Sequence, residues 1–204
     1  MSAFTNRIVP ALLAASAVVL MTIADAPAAK AAETPADPDA QTPFGLYLTA
    51  KEAGAMKAAE GDAVLLVDVR EPIEIMFTGF TDMVDVNVPF MLVNPGRWHP
   101  EKPLFLMEPN PDFAAGIERA LAERGLGKDA PIILMCRSGS DRGAPSARAL
   151  DGRGFEAVYV VVDGFEGVTS KDTPDAPWRN VNGWKNSGWP WGYALDREKL
   201  YIRQ

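Results

Sequence analysis

The sequence contains a single cysteine, a single histidine and no run of basic residues. One cysteine cannot form an internal disulfide, and the absence of any C-x-x-C or H-x-x-H pair argues against a metal site. The chain has 27 acidic against 20 basic residues and a formal net charge of −7. Because a phosphate backbone is bound by a clustered basic face, we expect no nucleic-acid partner.

The composition is that of one globular domain with terminal extensions. The chain has 204 residues, of which 48% are hydrophobic and 23% are charged. These fractions are normal for a chain that buries a core, and the length fits a single ordinary domain. We therefore expect the acidic surplus to lie on a solvated surface.

Residues 1–31 have the pattern of a secretory signal peptide. Arg7 precedes an uncharged apolar run at 8–24, and two A-x-A patterns then predict cleavage after Ala28 or Ala31. An uncleaved membrane anchor is the alternative, although the run is shorter than the roughly 20 residues of a spanning helix. We expect a periplasmic or secreted protein that keeps no stable membrane span after cleavage.

The remaining chain divides into a Pro-rich linker at 32–43, a domain at 44–170 and a Trp-rich extension at 171–204. Strands are predicted at 62–71, 83–91, 130–136 and 156–167, and helices at 49–61, 110–127 and 143–155. Residues 92–107, rich in proline and aromatics, are predicted to be a long loop. Strands that alternate with helices predict an α/β domain with a mostly parallel central sheet flanked by helices.

Two helices carry clear start and stop signals. Thr49 and Glu52 form a capping-box pattern, and Gly61 follows that helix. Asn110 is predicted to cap the second helix, with Pro111 in its first turn.

Cys136 ends the predicted strand at 130–136 and is followed by the loop sequence RSGSDRG. In α/β sheets, ligands bind at the carboxyl ends of the strands. The loop N–H groups can form an anion-binding nest, and the helix that begins near Gly143 adds the positive end of its dipole. Together with Arg137 and Arg142, these features favour thiolate over thiol. We therefore predict a reactive nucleophile rather than a buried apolar filler or a dimer link.

The order of elements and this loop resemble the rhodanese family. Asp68 and Arg70 in VLLVDVREPIEI match the family's early Asp-x-Arg signature, and PIILMCRSGSDRGAPSARAL matches its active-site strand, cysteine loop and helix. GFEAVYVVVDGFEG matches the closing strand, with Asp163 where the family commonly has glycine. The resemblance covers roughly residues 48–167, and three signatures in the family's order are more specific than any one of them.

The resemblance implies a sulfurtransferase without a metal or organic cofactor. Cys136 is expected to take the outer sulfur of thiosulfate or of a persulfide and to pass it from a cysteine persulfide to cyanide, sulfite or a protein thiol. Asp68 and Arg70 are expected to support the loop. The residues expected to bind the small sulfur-containing anion are Arg137, Ser138, Gly139, Ser140, Asp141 and Arg142.

One departure from the family pattern leaves two alternatives open. Sulfurtransferases of this family usually have the loop arginine five positions after the cysteine, whereas Arg142 stands six positions after Cys136. The longer loop resembles that of rhodanese-fold phosphatases and arsenate reductases, which take a tetrahedral oxyanion. A non-catalytic rhodanese-like binding module is the second alternative, because fold does not fix function.

Some other residues have both a structural and a functional interpretation. His99 has no cysteine or carboxylate at ligand spacing, which favours a surface or loop-packing role over a metal role. Asp141 is more consistent with loop bracing than with proton donation. The tail tryptophans either pack on the domain or form a lid or docking surface for a protein thiol acceptor beside the cysteine loop. They are Trp178, Trp184, Trp189 and Trp191.

Overall fold

The computed structural model describes residues 32–170 and 178–202, so the predicted signal peptide lies outside the described residues. Within these residues the structure has seven strands, β1 (Leu46–Leu48), β2 (Leu65–Asp68), β3 (Val86–Asn87), β4 (Met91–Trp98), β5 (Phe105–Pro109), β6 (Ile132–Met135) and β7 (Val158–Val161). The same part of the chain has four α-helices, α1 (Ala50–Glu60), α2 (Pro72–Thr78), α3 (Phe113–Glu123) and α4 (Gly143–Arg148). None of the helices in the described ranges is long and apolar enough to cross a membrane.

Five strands form a central sheet in the order β1-β7-β6-β2-β3, and every neighbouring pair is parallel. The predicted α/β class with a mostly parallel sheet is thereby confirmed. All residues of β2 and β6 are buried, because helices cover both faces of the sheet. The strand β6 lies between β7 and β2 and is the central strand of the five, so its carboxyl end lies at the middle of the carboxyl edge of the sheet.

Alternate residues of the central strands pack into two cores. Val67 and Leu134 lie in the core under α3 and α4, together with Ile117 of α3. On the other face, Leu66 and Ile133 pack with residues of α1 and α2. Cys136 continues the alternation of β6 and lies on the α3 and α4 face. The period of two in strand side chains therefore decides which face the cysteine joins.

The start of α1 confirms the predicted capping box. The Thr49 hydroxyl accepts from the Glu52 N–H at 3.2 Å, and the Glu52 carboxylate accepts from the Thr49 N–H at 2.8 Å. The cap residue Gly61 has φ 56°, as its position after the helix predicts. The predicted start of the second helix is wrong, because α3 begins at Phe113 with Asp112 at the cap position, so Asn110 and Pro111 lie before the helix. The Asn110 side chain still accepts from the Asp112 N–H at 3.1 Å.

The prediction of a long loop at 92–107 is wrong. The segment forms an antiparallel hairpin of β4 and β5, with a register irregularity between Asn94 and Trp98. The prolines hid this hairpin, because Pro95 lies at the irregularity and therefore removes no regular ladder bond. The predicted strand at 83–91 shortens to Val86–Asn87, and β1 was not predicted.

Both flanking segments contact the domain where the structure describes them. The Arg148 guanidinium donates to the carbonyls of Asp39 and Gln41, so the segment predicted as a linker is bonded to α4. In the Trp-rich extension, Trp184 is fully buried in the core that contains Leu48 and Phe165. The Asp163 carboxylate accepts from the N–H groups of Ala50 and Gly183, which joins α1, the end of β7 and the extension.

Candidate active site around Cys136

Cys136 follows the last residue of β6 and is a free thiol at the carboxyl edge of the parallel sheet. The residue is 1% exposed, yet it lines a cavity of about 520 Å³. The sulfur atom therefore combines a buried environment with access from one side. That combination distinguishes it from a cysteine that only fills a core.

The loop after Cys136 is held by glycine geometry and by the turn after β7. Gly139 has φ +79°, and its N–H donates to Cys136 Sγ at 3.2 Å. A side chain at Gly139 would place its Cβ 1.8 Å from the Val162 carbonyl oxygen, so only glycine fits there. The Cys136 and Arg137 carbonyls accept from two N–H groups beyond β7 at 2.8 Å each.

The expected ring of inward N–H groups is only partly formed. Gly139 supplies the one loop N–H that donates to the sulfur within the described chain. The helix α4 does begin at Gly143, as predicted, but it has only six residues, so its dipole contributes little. The electrostatic support of a Cys136 thiolate therefore depends on Gly139 and on the guanidinium groups of the loop.

Arg142 forms a bidentate ion pair with Glu74 of α2, with nitrogen–oxygen distances of 2.5 and 2.8 Å. Burial alone raises the pKa of Glu74, but the hydrogen bond and charge of Arg142, with smaller contributions from Arg70 and Arg137, bring it below its usual value. Burial alone lowers the pKa of Arg142, yet Glu74, followed by Cys136 and Asp68, raises it above its usual value. Arg142 is therefore a fixed cation that lines the same cavity as Cys136.

Arg137 points to a different carboxylate. Its Nε donates to Glu166 Oε2 at 2.5 Å, and its side chain is 43% exposed. Both loop arginines line the cavity, but only Arg142 is largely buried. This answers which arginine is held rigidly, a point that loop spacing leaves open.

Asp68 and Arg70 lie behind the loop and are both fully buried. The Arg70 guanidinium donates to the Asp68 carboxylate and to the carbonyl oxygen of Gly79 beyond α2, and it stacks 3.9 Å from the Phe165 ring centroid. The Phe165 N–H donates in turn to the Cys136 carbonyl at 2.8 Å. The pair therefore contacts the cysteine loop through Phe165.

The remaining loop side chains differ in their access to the cavity. Ser138 and Asp141 line it, and the hydroxyls of Ser138 and Ser140 lie 2.9 Å apart. Asp141 forms no ion pair with the described residues, so bracing by a salt bridge has no support there.

Residues outside the predicted site complete the cavity. The β4–β5 hairpin contributes Met91, Leu106 and Met107, its tip contributes His99, Lys102 and Leu104, and the extension contributes Arg179. His99 Nδ1 accepts from the N–H groups of two tip residues, so it has the loop-packing role that the sequence favours. Residues 32–170 and 178–202 contain no group of three or more His, Cys, Asp and Glu side chains that could hold a metal.

Sequence reasoning missed the two carboxylates that orient the loop arginines and the whole hairpin wall. Glu74 follows one predicted strand and Glu166 lies at the end of another, so an acidic residue near a strand end was the available signal. No local pattern indicated their pairing, because Glu74 and Arg142 are 68 positions apart.

The sequence model of the family described as "Rhodanese-like domain" matches residues 49–171. The chain belongs to the rhodanese-like domain family. Its fold is similar to that in the crystal structure of Rv0390 from M. tuberculosis, with a TM-score of 0.51 and 27% sequence identity. The similarity covers 72% of this chain and 97% of that one, and no curated protein matches the sequence. The rhodanese-like match begins at Thr49, the cap of α1, and includes the cysteine loop.

Proposed function

We propose that this rhodanese-like protein is a sulfurtransferase that carries sulfane sulfur as a Cys136 persulfide. The observation that carries the proposal is a free thiol at the floor of a cavity, with one N–H donor on the sulfur and a fixed guanidinium nearby. A thiolate with access to solvent is the nucleophile of thiol–disulfide exchange, and sulfur transfer uses the same substitution at sulfur.

The reaction consists of two balanced substitutions. The Cys136 thiolate attacks the outer sulfur of thiosulfate, the sulfur–sulfur bond breaks, and sulfite leaves with the electron pair. A thiophilic acceptor then attacks the outer sulfur of the persulfide and regenerates the thiolate. The Gly139 N–H and the Arg142 charge stabilise the anionic sulfur in both steps.

The ion pair with Glu74 favours sulfur transfer over chemistry on a tetrahedral oxyanion. Both terminal nitrogens of Arg142 already donate to the Glu74 carboxylate, so its bidentate fork is engaged. A phosphate or arsenate dianion would compete with that carboxylate for the same donors. A persulfide needs only the nearby positive charge.

The acceptor side of the proposal includes a protein thiol that reaches the cavity past the extension. Arg179 lines the cavity, and its neighbour Trp178 is 65% exposed. An exposed tryptophan beside a catalytic opening suits a transient contact with a partner protein. Export to the periplasm or beyond is part of the proposal, since the leader sequence supports it.

The direct test is the intact mass of the full chain after incubation with thiosulfate. We expect a gain of one sulfur atom that cyanide removes, and no gain in Cys136→Ser. Reversal by cyanide is required because a sulfinic acid has nearly the same mass but is not reversed. Phosphate release from an aryl phosphate would instead favour the phosphatase alternative, and no reaction of either kind would favour a binding module.

A further inference from the structure

We propose that the donor for this site is an organic sulfane-sulfur compound whose apolar body ends in a carboxylate, and that the β4–β5 hairpin selects it. This inference rests on the proposed sulfurtransferase function and names its substrate class. The hairpin and its tip supply six of the described residues that line the cavity. No other segment of the described chain supplies as many.

The cavity is too large for a minimal inorganic donor. Its volume of about 520 Å³ falls within the roughly 300–1,000 Å³ typical of sites for organic ligands. Thiosulfate occupies the space of a few water molecules, each of which takes about 30 Å³ in the liquid. Thiosulfate alone therefore leaves most of the cavity filled with water.

The hairpin makes one part of the cavity apolar. Met91, Leu106 and Met107 of the strands and Leu104 of the tip line it, whereas the cysteine loop contributes mainly polar and charged side chains. Leu104 is 42% exposed, so it presents apolar area that a ligand can cover. An apolar body is favoured there because binding removes these side chains from water.

The hairpin tip also supplies a cation that the protein does not neutralise. Lys102 lines the cavity and forms no ion pair with the described residues, whereas both terminal nitrogens of Arg142 donate to the Glu74 carboxylate. The His99 ring accepts from the N–H groups of Glu101 and Lys102 at 3.1 Å each, which holds the backbone of the tip. A carboxylate at the end of the donor would pair with the ammonium group of Lys102.

The chemical step keeps the balance of the parent reaction. The Cys136 thiolate attacks the outer sulfur of an organic thiosulfonate, the sulfur–sulfur bond breaks, and the sulfinate leaves with the electron pair. With an organic persulfide as donor, the leaving group is the corresponding thiolate. The hairpin acts on the body of the donor and not on the reacting sulfur atoms.

A series of three thiosulfonates with the same reacting group tests the inference. The donors are methanethiosulfonate, hexanethiosulfonate and the hexane compound with a terminal carboxylate. The second-order rate constant for formation of the Cys136 persulfide is followed by intact mass. We expect it to rise about tenfold from the methyl to the hexyl donor, because an apolar pocket favours a substrate with additional methylene groups. A further rise of several-fold is expected with the carboxylate, and it should shrink at high salt.

Two hairpin variants locate the selectivity, each with a matched control. Leu104→Ala should lower the rate with the hexyl donor several-fold and leave the methyl donor unchanged, whereas Ile73→Ala, at an exposed residue outside the cavity, should change neither. Lys102→Gln should abolish the gain from the carboxylate, and Lys51→Gln, which removes an exposed charge outside the cavity, should not. Both hairpin residues are exposed, so these variants should fold normally.

The outcomes separate the two levels of the proposal. Equal rate constants for the three donors, or a preference that Leu104→Ala and Lys102→Gln leave intact, would overturn the substrate class while a persulfide still formed. If no donor, including thiosulfate, gave a Cys136 persulfide, the sulfurtransferase function itself would be overturned.

Discussion

Two groups support the sulfur of Cys136, the Gly139 N–H and the Arg142 guanidinium, and each is held by another part of the fold. Gly139 provides the N–H at 3.2 Å because its positive φ turns the loop back toward the sulfur. Arg142 is positioned by Glu74 of α2, so a helix after β2 orients a cation that follows β6. The reactivity of one atom therefore depends on contacts between distant segments.

Removal of the Glu74 carboxylate should make the protein less stable and change its response to acid. Glu74→Gln is expected to lower the free energy of unfolding by about 1–3 kcal/mol at neutral pH. This is less than the roughly 3–5 kcal/mol lost when a fully buried ion pair is broken, because water reaches this pair in part. The folded-state pKa of Glu74 lies below its ordinary value of 4.5, so the ion pair stabilises the fold above that pH. The stabilisation is lost as the pH falls from 4.5 through the folded-state pKa.

Denaturant unfolding of wild type and Glu74→Gln between neutral pH and pH 3 measures this effect. The difference in the free energy of unfolding should be constant at neutral pH and shrink below about pH 4.5. A difference that stays constant down to pH 3 would contradict the assigned ion pair.

Substitution of Gly139 should displace the cysteine loop, because of a steric clash in addition to the strain of its positive φ. In Gly139→Ala the Cβ would lie 1.8 Å from the Val162 carbonyl, which forces the loop away and removes the N–H from the sulfur. We expect alkylation of Cys136 by iodoacetamide near neutral pH to slow about tenfold, since the attacking sulfur then lacks its N–H donor and the displaced loop no longer holds it in place. Gly152→Ala is the matched control, because Gly152 also has a positive φ of +68°, but no atom of the described residues lies within 4 Å of the added Cβ. Equal alkylation rates in the two variants would rule out the role given to Gly139.

At the scale of elements, the parallel sheet aligns the site and the hairpin encloses it. The carboxyl ends of β2 and β6 bring the Asp68–Arg70 pair and Cys136 to one edge. The hairpin lies outside that sheet and pairs only β4 with β5 in the described structure. The sheet therefore provides the position of Cys136, and the hairpin provides most of the apolar side chains among the described residues that line the cavity.

The capping box of α1 gives a prediction at this scale. Thr49→Ala should lower the free energy of unfolding by about 1 kcal/mol, because the Glu52 N–H loses its acceptor at the helix start. Thr42→Ala removes the same atoms at a threonine whose hydroxyl has no hydrogen-bond partner within the described residues. It should therefore lower the free energy of unfolding by less. Urea unfolding of both variants measures the difference, and equal losses would contradict the cap assignment.

At the scale of the whole molecule, the C-terminal extension is part of the core. Trp184 of the extension is fully buried in a core of the domain, and its Nε1 donates to the Pro190 carbonyl at 3.1 Å. Phe80 and Gly192 form a bridge that joins the extension to the end of α2. The Asp163 carboxylate adds a third connection, and burial raises its pKa although the N–H groups of Gly183 and Ala50 oppose the shift. The extension is therefore expected to unfold together with the domain.

Truncation of the buried tryptophan tests that cooperativity. Trp184→Ala is expected to lower the free energy of unfolding by about 3–5 kcal/mol, the usual range for loss of a large core side chain. Trp178→Ala is the matched control and should cost less than about 0.5 kcal/mol, since Trp178 is 65% exposed. A single unfolding transition with equal midpoints for the two variants would show that the extension does not stabilise the domain.

The sequence alone determined the features that depend on neighbouring residues. The apolar runs predicted β2, β6 and β7, the cap residues predicted α1, and the order of three signatures led to the rhodanese-like family. Each of these follows from periodicity or from contacts within a few positions along the chain. Cys136 at a strand end followed from the same local patterns.

Only the tertiary structure decided what surrounds that cysteine. The Glu74–Arg142 ion pair spans 68 positions, the hairpin residues and Arg179 come to one cavity from separate segments, and Trp184 is buried by strands far from it in sequence. No local pattern specifies such contacts, because burial and charge pairing between distant segments depend on how the elements pack. The position of the proposed nucleophile is therefore local information, whereas the environment proposed to select its donor is a property of the folded chain.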